Sequence, residues 1–226
     1  MKSYELIVFD WDGTLMDSEI RIVTCMQRAA NDTGHPVPVD AAVREIIGLS
    51  MQRAVEELFP VREADEIERI IDAYRHHWLG GEVPSSALFP NAAELIEQLG
   101  QQGYLLAVAT GKSRRGLDKV LLESGLEPHF HATRCADEAF SKPHPQMLED
   151  ILTDLNVAAD KALVIGDTEY DMQMASNARV DALGVVHGAH APQRLLDTGA
   201  ITVLNALNEL PAWLAGQTAQ GAGQGV

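Results

Sequence analysis

Leu6-Ile7-Val8-Phe9-Asp10-Trp11-Asp12-Gly13-Thr14 decides how the rest of the chain is read. Four apolar residues, two of them β-branched, run straight into two carboxylates one residue apart, then Gly and Thr. An unbroken apolar run closed by a turn signal predicts a strand buried on both faces. The carboxyl end of such a strand is where an open α/β sheet places its chemistry. Two unpaired acids cannot continue into a core, because burying an uncompensated carboxylate is too costly. A hard divalent cation with oxygen ligands would answer that charge. Gly13 lets the chain turn sharply as it leaves the strand.

Outward from this stretch, Asp17-Ser18-Glu19 offers cap-type residues before a helical stripe of Ile22, Val23, Met26, Ala29 and Ala30, which stops near Gly34. Residues 40–48 and 52–59 predict two shorter helices around the turn Gly48-Leu49-Ser50. The clearest amphipathic helix covers residues 63–79, with Ile67, Ile70, Ile71, Tyr74 and Trp78 on one face and Gly80-Gly81 as its stop. No convincing strand falls between Asp17 and Pro84. Strands and helices then alternate: a helix from Pro90-Asn91, a strand over 104–109, a helix capped by Ser113, and a weaker strand over 131–134. Ser141-Lys142-Pro143-His144-Pro145 leads rigidly into a helix over 146–155. A buried strand over 162–165, a helix over 170–178, strands over 182–186 and 201–203, and a helix over 205–214 follow.

This order predicts an α/β fold: a doubly wound parallel sheet, Rossmann-like, with a small all-helical cap inserted after the first strand. The expected division is residues 1–16 and 85–215 for the catalytic core and 17–84 for the cap. The Gly/Gln/Ala-rich residues 216–226 read as a disordered tail.

Composition narrows the partners. Seventeen basic against 33 acidic side chains give a net charge of −16 across 226 residues. Such a field repels phosphate backbones, so nucleic acid is not an expected partner. No apolar segment reaches the roughly 20 residues a membrane helix needs. Cys25 and Cys135 have no paired spacing, which suits a reducing compartment and argues against a zinc site. A cytoplasmic location follows as an expectation, with the oligomeric state open and a monomer favoured.

Three predicted strands end in polar clusters: Asp10/Asp12/Thr14, Thr110/Gly111/Lys112 and Gly166/Asp167/Asp171. In a parallel sheet all three open on one edge, and Lys142 can reach the same edge. Acids for a cation, a hydroxyl and a lysine for an anion, and helix N-termini that favour phosphate describe a Mg²⁺-dependent phosphoryl-transfer site. Lys112, Arg114 and Arg115 read as a solvated first helical turn, and His187 and His190 as polar loop residues.

In order and spacing, these motifs resemble the haloacid dehalogenase superfamily from Leu6 to about Leu214. The helical insert is similar to that of its phosphoglycolate phosphatase-like branch. The resemblance implies a phosphatase acting on small phosphorylated metabolites, with Asp10 as nucleophile and Asp12 as general acid and base. It further implies Mg²⁺ held by Asp10, the Asp12 carbonyl and Asp167. Thr110, the Gly111 N–H and Lys142 would hold the transferring phosphoryl. Asp171 would orient Lys142 or a metal-bound water. The turn before the third cap helix resembles the family's substrate-facing cap loop, which makes Arg53 and Gln52 the expected cap contacts. Arginine suits a carboxylate or hydroxyl-rich leaving group.

Relatives bound the alternatives. A dehalogenase would lack an acid at Asp12. A β-phosphoglucomutase-like phosphotransferase resembles a chain with a histidine shortly after the first motif, where this one has Ile22. A phosphonate hydrolase needs a cap lysine, and residues 17–86 contain none. A catalytically silent binding or regulatory module would have lost one of Asp10, Asp12, Lys142 or Asp167, and all four are present.

Overall fold

The opening apolar run forms β1 (Leu6–Phe9), and all four residues are buried. The structure is a computed structural model and describes residues 3–219. β4 (Leu105–Thr110) and β6 (Ala162–Gly166) flank β1 in parallel, with Val8 opposite Ala107 on one side and Val164 on the other. Beyond β4 lies β5 (Ala132–Cys135), and beyond β6 lie β7 (Asp181–Val185) and β8 (Val203–Leu204). The six-stranded order is therefore β5-β4-β1-β6-β7-β8. The chain moves outward from β1 to β5, returns to β1's other flank, and moves outward again. That reversal opens a crevice at the carboxyl ends of the strands beside β1.

Side-chain alternation along β1 feeds two separate cores. Ile7 and Phe9 pack with Leu95 and Leu99 of α5 (Ala92–Gln101), Leu117 of α6 (Arg114–Ser124) and Leu210 of α10 (Leu210–Ala219). Leu6 and Val8 face Met147 and Ile151 of α7 (Gln146–Leu155) and Met172 and Ala175 of α8 (Glu169–Asn177). Both faces being covered is why the strand carries no polar residue until its end.

A third apolar cluster belongs to α1 (Glu19–Asp32), α2 (Asp40–Arg44), α3 (Met51–Leu58) and α4 (Ala64–Leu79). The α4 stripe Ile67, Ile70, Ile71, Tyr74 and Trp78 is buried in it. Ser50 caps α3 by accepting a hydrogen bond from the Arg53 N–H at 3.4 Å.

Several short elements lie outside the sequence expectation. β2 (Met16–Asp17) pairs antiparallel with β3 (Ala87–Leu88), so the chain enters and leaves the helical group through one two-residue ribbon. Two residues are too few to carry an alternation pattern. A further helix, α9 (Pro192–Asp197), follows the His187–His190 loop, and the 201–203 strand is shifted to β8. The last expected helix starts as a 3₁₀ turn at Leu207–Glu209 and continues through α10 to Ala219. The expected tail thus begins inside a helix at 216, and residues 220–226 lie outside the described residues. Among the described residues no helix is long and apolar enough to cross a membrane.

Ile70 is fully buried among the four helices. Ile70→Ala is expected to cost about 2–5 kcal/mol in urea-induced unfolding, the transfer and cavity terms together. A loss below about 1 kcal/mol would mean that this cluster is not a close-packed core.

Candidate active site

Asp10 extends the β1 ladder by one more backbone hydrogen bond, its N–H donating to the Ile165 carbonyl at 2.9 Å. Its side chain is thereby aimed at the carboxyl edge of the sheet. There Lys142, from the loop before α7, donates to Asp10 Oδ1 at 2.7 Å and to Asp171 Oδ1 at 2.6 Å. Asp171 is fixed by a capping box at the start of α8: its Oδ2 accepts from the Thr168 N–H at 3.1 Å and hydroxyl at 2.7 Å. Asp167 accepts from the Thr14 hydroxyl at 2.8 Å and the Ala189 N–H at 2.9 Å. Lys142, Asp10, Asp167 and Asp171 are all buried.

Three buried carboxylates therefore stand together with one ammonium, which is bonded to two of them. Burial pushes the Asp10 carboxyl up to about 7; Lys142 opposes the rise, and the charges of Asp171 and Asp12 add to it. Burial likewise raises Asp167 well above the usual carboxylate range, with Asp10 and Asp171 contributing. Burial works against the charge of Lys142, but Asp10 and Asp171 outweigh it and hold its pKa above the ordinary lysine value. Asp10 Oδ2 is buried without a hydrogen-bond partner. Asp10, Asp167 and Asp171 each offer a carboxylate oxygen, all within 4.8 Å of one another. An all-oxygen, net-negative donor set with one oxygen left over fits a hard divalent cation.

Asp12 is treated differently. Lys112 donates to both of its oxygens at 2.8 Å, and the Ser18 hydroxyl donates to Oδ1 at 2.5 Å. The Lys112 ammonium also sits 4.3 Å from the centre of the Trp78 ring, a cation–π contact. Lys112 is thus no solvated helix residue: Ser113 is the N-cap of α6, so Lys112 precedes the helix and points along the sheet edge. Trp78 also receives Arg21, which donates to its carbonyl at 2.6 Å and lies over its ring.

A cavity of about 720 Å³ lies between the sheet edge and the helical group, and Asp10, Asp12, Thr110, Gly111 and Lys112 form its sheet-side lining. Lys142, Asp167 and Asp171 stand behind Asp10. Thr110 is buried, its hydroxyl accepting from the Lys112 N–H at 3.2 Å. A Cβ at Gly111 would meet the carbonyl oxygens of Leu49 and Gly48 at 2.5 and 2.7 Å. Only glycine lets the α2–α3 turn settle there. That turn is tied down by the Ser50 N–H donating to the Ser141 hydroxyl at 2.9 Å.

The structure does not bring Arg53 and Gln52 to this cavity. Both are exposed on the outer face of α3, Arg53 paired with Glu57 at 3.2 Å and Gln52 with Glu56 at 2.9 Å. Helix phase explains the correction: Met51 and Ala54, three apart, face the cavity and turn their neighbours outward. His190 is buried, and its Nδ1 accepts from the Glu169 N–H at the start of α8, so it is a structural residue.

Comparison with known proteins places this arrangement. The model of a family described as haloacid dehalogenase-like hydrolase matches residues 7–185. Probable phosphatase IndB of Dickeya dadantii is 31% identical over 91% of this chain and 91% of its own length. A phosphoglycolate phosphatase of Vibrio cholerae is 30% identical over 83% of this chain and 87% of its own. A haloacid dehalogenase-like family hydrolase from Streptococcus pneumoniae superposes with a TM-score of 0.81 at 24% identity, covering 94% of this chain and 99% of that one.

The charge imbalance has a pH signature. A carboxyl that ionises less readily folded than unfolded removes stability as pH rises, here from the ordinary range near about 3.9 toward the Asp10 value of about 7. Asp10→Asn abolishes that contribution. In chelator-treated protein the variant is therefore expected to melt near wild type at acid pH and above it near neutrality. A melting-temperature difference that stays constant or shrinks between those limits would contradict the electrostatic picture.

Proposed function

The chain belongs to the haloacid dehalogenase-like hydrolase family and is a phosphatase, and we propose that it hydrolyses small phosphorylated metabolites through an aspartyl-phosphate on Asp10 with Mg²⁺ as its metal. The observation that carries this reading is Asp10 itself: a buried carboxylate lining the cavity, with Oδ2 unpartnered.

A carboxylate oxygen is a competent nucleophile toward phosphorus and divides one difficult step into two. In the first, an Asp10 oxygen bonds to phosphorus while the bond from phosphorus to the ester oxygen breaks. Asp12 gives its proton to that oxygen, and the alcohol leaves. In the second, water attacks the same phosphorus and Asp12 takes up its proton. The phosphorus–Asp10 bond breaks, releasing inorganic phosphate and restoring the carboxylate. Asp12 suits both tasks because Lys112 and Ser18 hold it in one orientation beside the nucleophile.

Thr110, the Gly111 N–H and Lys142 supply the donors for the transferring phosphoryl, at the place where preorganised charge lowers the barrier most. Asp10, Asp167 and the Asp12 carbonyl would hold the cation, with Asp171 positioning Lys142. When bound, Mg²⁺ supplies positive charge against the phosphoryl oxygens and against the acids themselves. The helical group acts as a cap that closes the cavity over the substrate. Ile22 lines the cavity where the mutase reading would place a histidine, so no second acid–base group stands there to support phosphoryl return.

Two measurements test this. Turnover of an aryl phosphate should require Mg²⁺, stop with chelator, and fall at least ~10³-fold in Asp10→Asn, since an amide is no nucleophile. Wild-type-like rates in chelator would remove the metal, and retention of a few per cent by the variant would remove the nucleophile. Asp12→Asn should accumulate phosphoenzyme from a substrate with a good leaving group, because attack needs little acid help whereas hydrolysis still needs the base. If labelled phosphate stays on neither protein, the two-step scheme fails.

A further inference from the structure

Resting on that phosphatase reading, we propose that the leaving group of the preferred substrate is a large, predominantly apolar alcohol or phenol, not a small carboxylate or a sugar. The sheet-edge residues account for the phosphoryl; the apolar wall beyond them is built by the helical group, while Ser113, Arg115, Gly116 and Asp137 complete the lining from the sheet side. Ile22 and Met26 of α1, Ile47 and Leu49 of the α2–α3 connection, and Met51 and Ala54 of α3 form that wall. The Tyr74 and Trp78 rings of α4 stack at 5.9 Å and complete the wall.

Size points the same way. A volume of about 720 Å³ falls within the roughly 300–1,000 Å³ of pockets that take drug-sized ligands. A two-carbon leaving group would fill little of it. The volume is present with the α2–α3 turn seated on Gly111 and tied to Ser141.

Charge excludes the alternatives. A carboxylate in the leaving group needs a cation in the wall, and residues 17–86 contain no lysine. Arg21, which donates to the Trp78 carbonyl and lies over its ring, is not part of the cavity lining, and Arg75 is held by Glu68 at 2.6 Å and Asp72 at 2.9 Å. Lys112 faces Asp12. With Asp72 answering Arg75, Asp137 adds negative charge to the lining, and the remaining basic side chains there, His76 and Arg115, are exposed. Against the wall of Ile22, Met26, Leu49 and Met51 a polyol would press hydroxyls on side chains that cannot answer them, at a cost for each unpaired group.

The test is a homologous series with one leaving-group chemistry. With Mg²⁺, kcat/KM for ethyl, butyl and hexyl phosphate is expected to rise up to about fourfold per methylene, hence on the order of 10²-fold over the four methylenes from ethyl to hexyl if each is buried. Hexyl phosphate, an alkyl ester like them, should exceed 2-phosphoglycolate and ribose 5-phosphate by at least about tenfold, with 1-naphthyl phosphate as the intrinsically reactive control. Met51→Gln should lower the hexyl-to-ethyl ratio if this wall is where the chain lies. A flat series, an unchanged ratio in that variant, or a preference for phosphoglycolate or ribose 5-phosphate overturns the inference and leaves the phosphatase standing. Failure to hydrolyse any ester, the naphthyl ester included, overturns both.

Discussion

A single ammonium, Lys142, is bonded to two of three carboxylates that the sheet edge holds out of water. Much of the surrounding structure can be understood as keeping that arrangement in place. Removing one partner of a buried ionic group strands the other at a cost of several kcal/mol, about 3–5 in well-studied cases. The Thr168 cap, the Thr14 hydroxyl and the Ala189 N–H are therefore parts of one arrangement: each satisfies a carboxylate oxygen that the lysine cannot reach. One oxygen is left over, on Asp10. The same imbalance that makes the site costly to fold makes it receptive to a cation.

The second charged pair serves a different end. Lys112 touches Asp12 on the sheet side and Trp78 on the helical side. Asp12 thus shares a partner with the last turn of α4, while Asp10 is tied only to the sheet edge. Two acids one residue apart are given different partners, Lys142 for Asp10 and Lys112 for Asp12.

Much of this was legible in the sequence. The apolar runs that end in Asp10, Thr110 and Gly166 fix which residues share an edge, because a parallel sheet sends all its strand ends the same way. The α4 stripe was equally readable, since sixteen residues give several turns of periodicity. Lys112 was misread because Gly-Lys-Ser-Arg-Arg resembles a basic helix start. The Ser113 cap read from the same stretch already places Lys112 before the helix, on the loop at the sheet edge. Arg53 was misread for want of phase: the apolar set Met51, Ala54 and Val55 already assigns it to the outer face. The β2–β3 ribbon had no sequence signal, because pairs of two residues are chosen by tertiary geometry and not by pattern.

That ribbon carries a consequence for how such a molecule diversifies. Met16 pairs with Leu88 and Asp17 with Ala87, so the two ends of the helical segment meet side by side. A segment with adjoining ends adds or loses turns without pulling on β1 or β4. Loop-closure entropy grows only slowly with length, so the sheet is nearly indifferent to what is spliced in. The sheet edge and the wall facing it are therefore ordered by different forces, one by buried charge and the other by apolar packing, and they meet at few places: the ribbon, the Lys112–Trp78 contact and the seat at Gly111 among them.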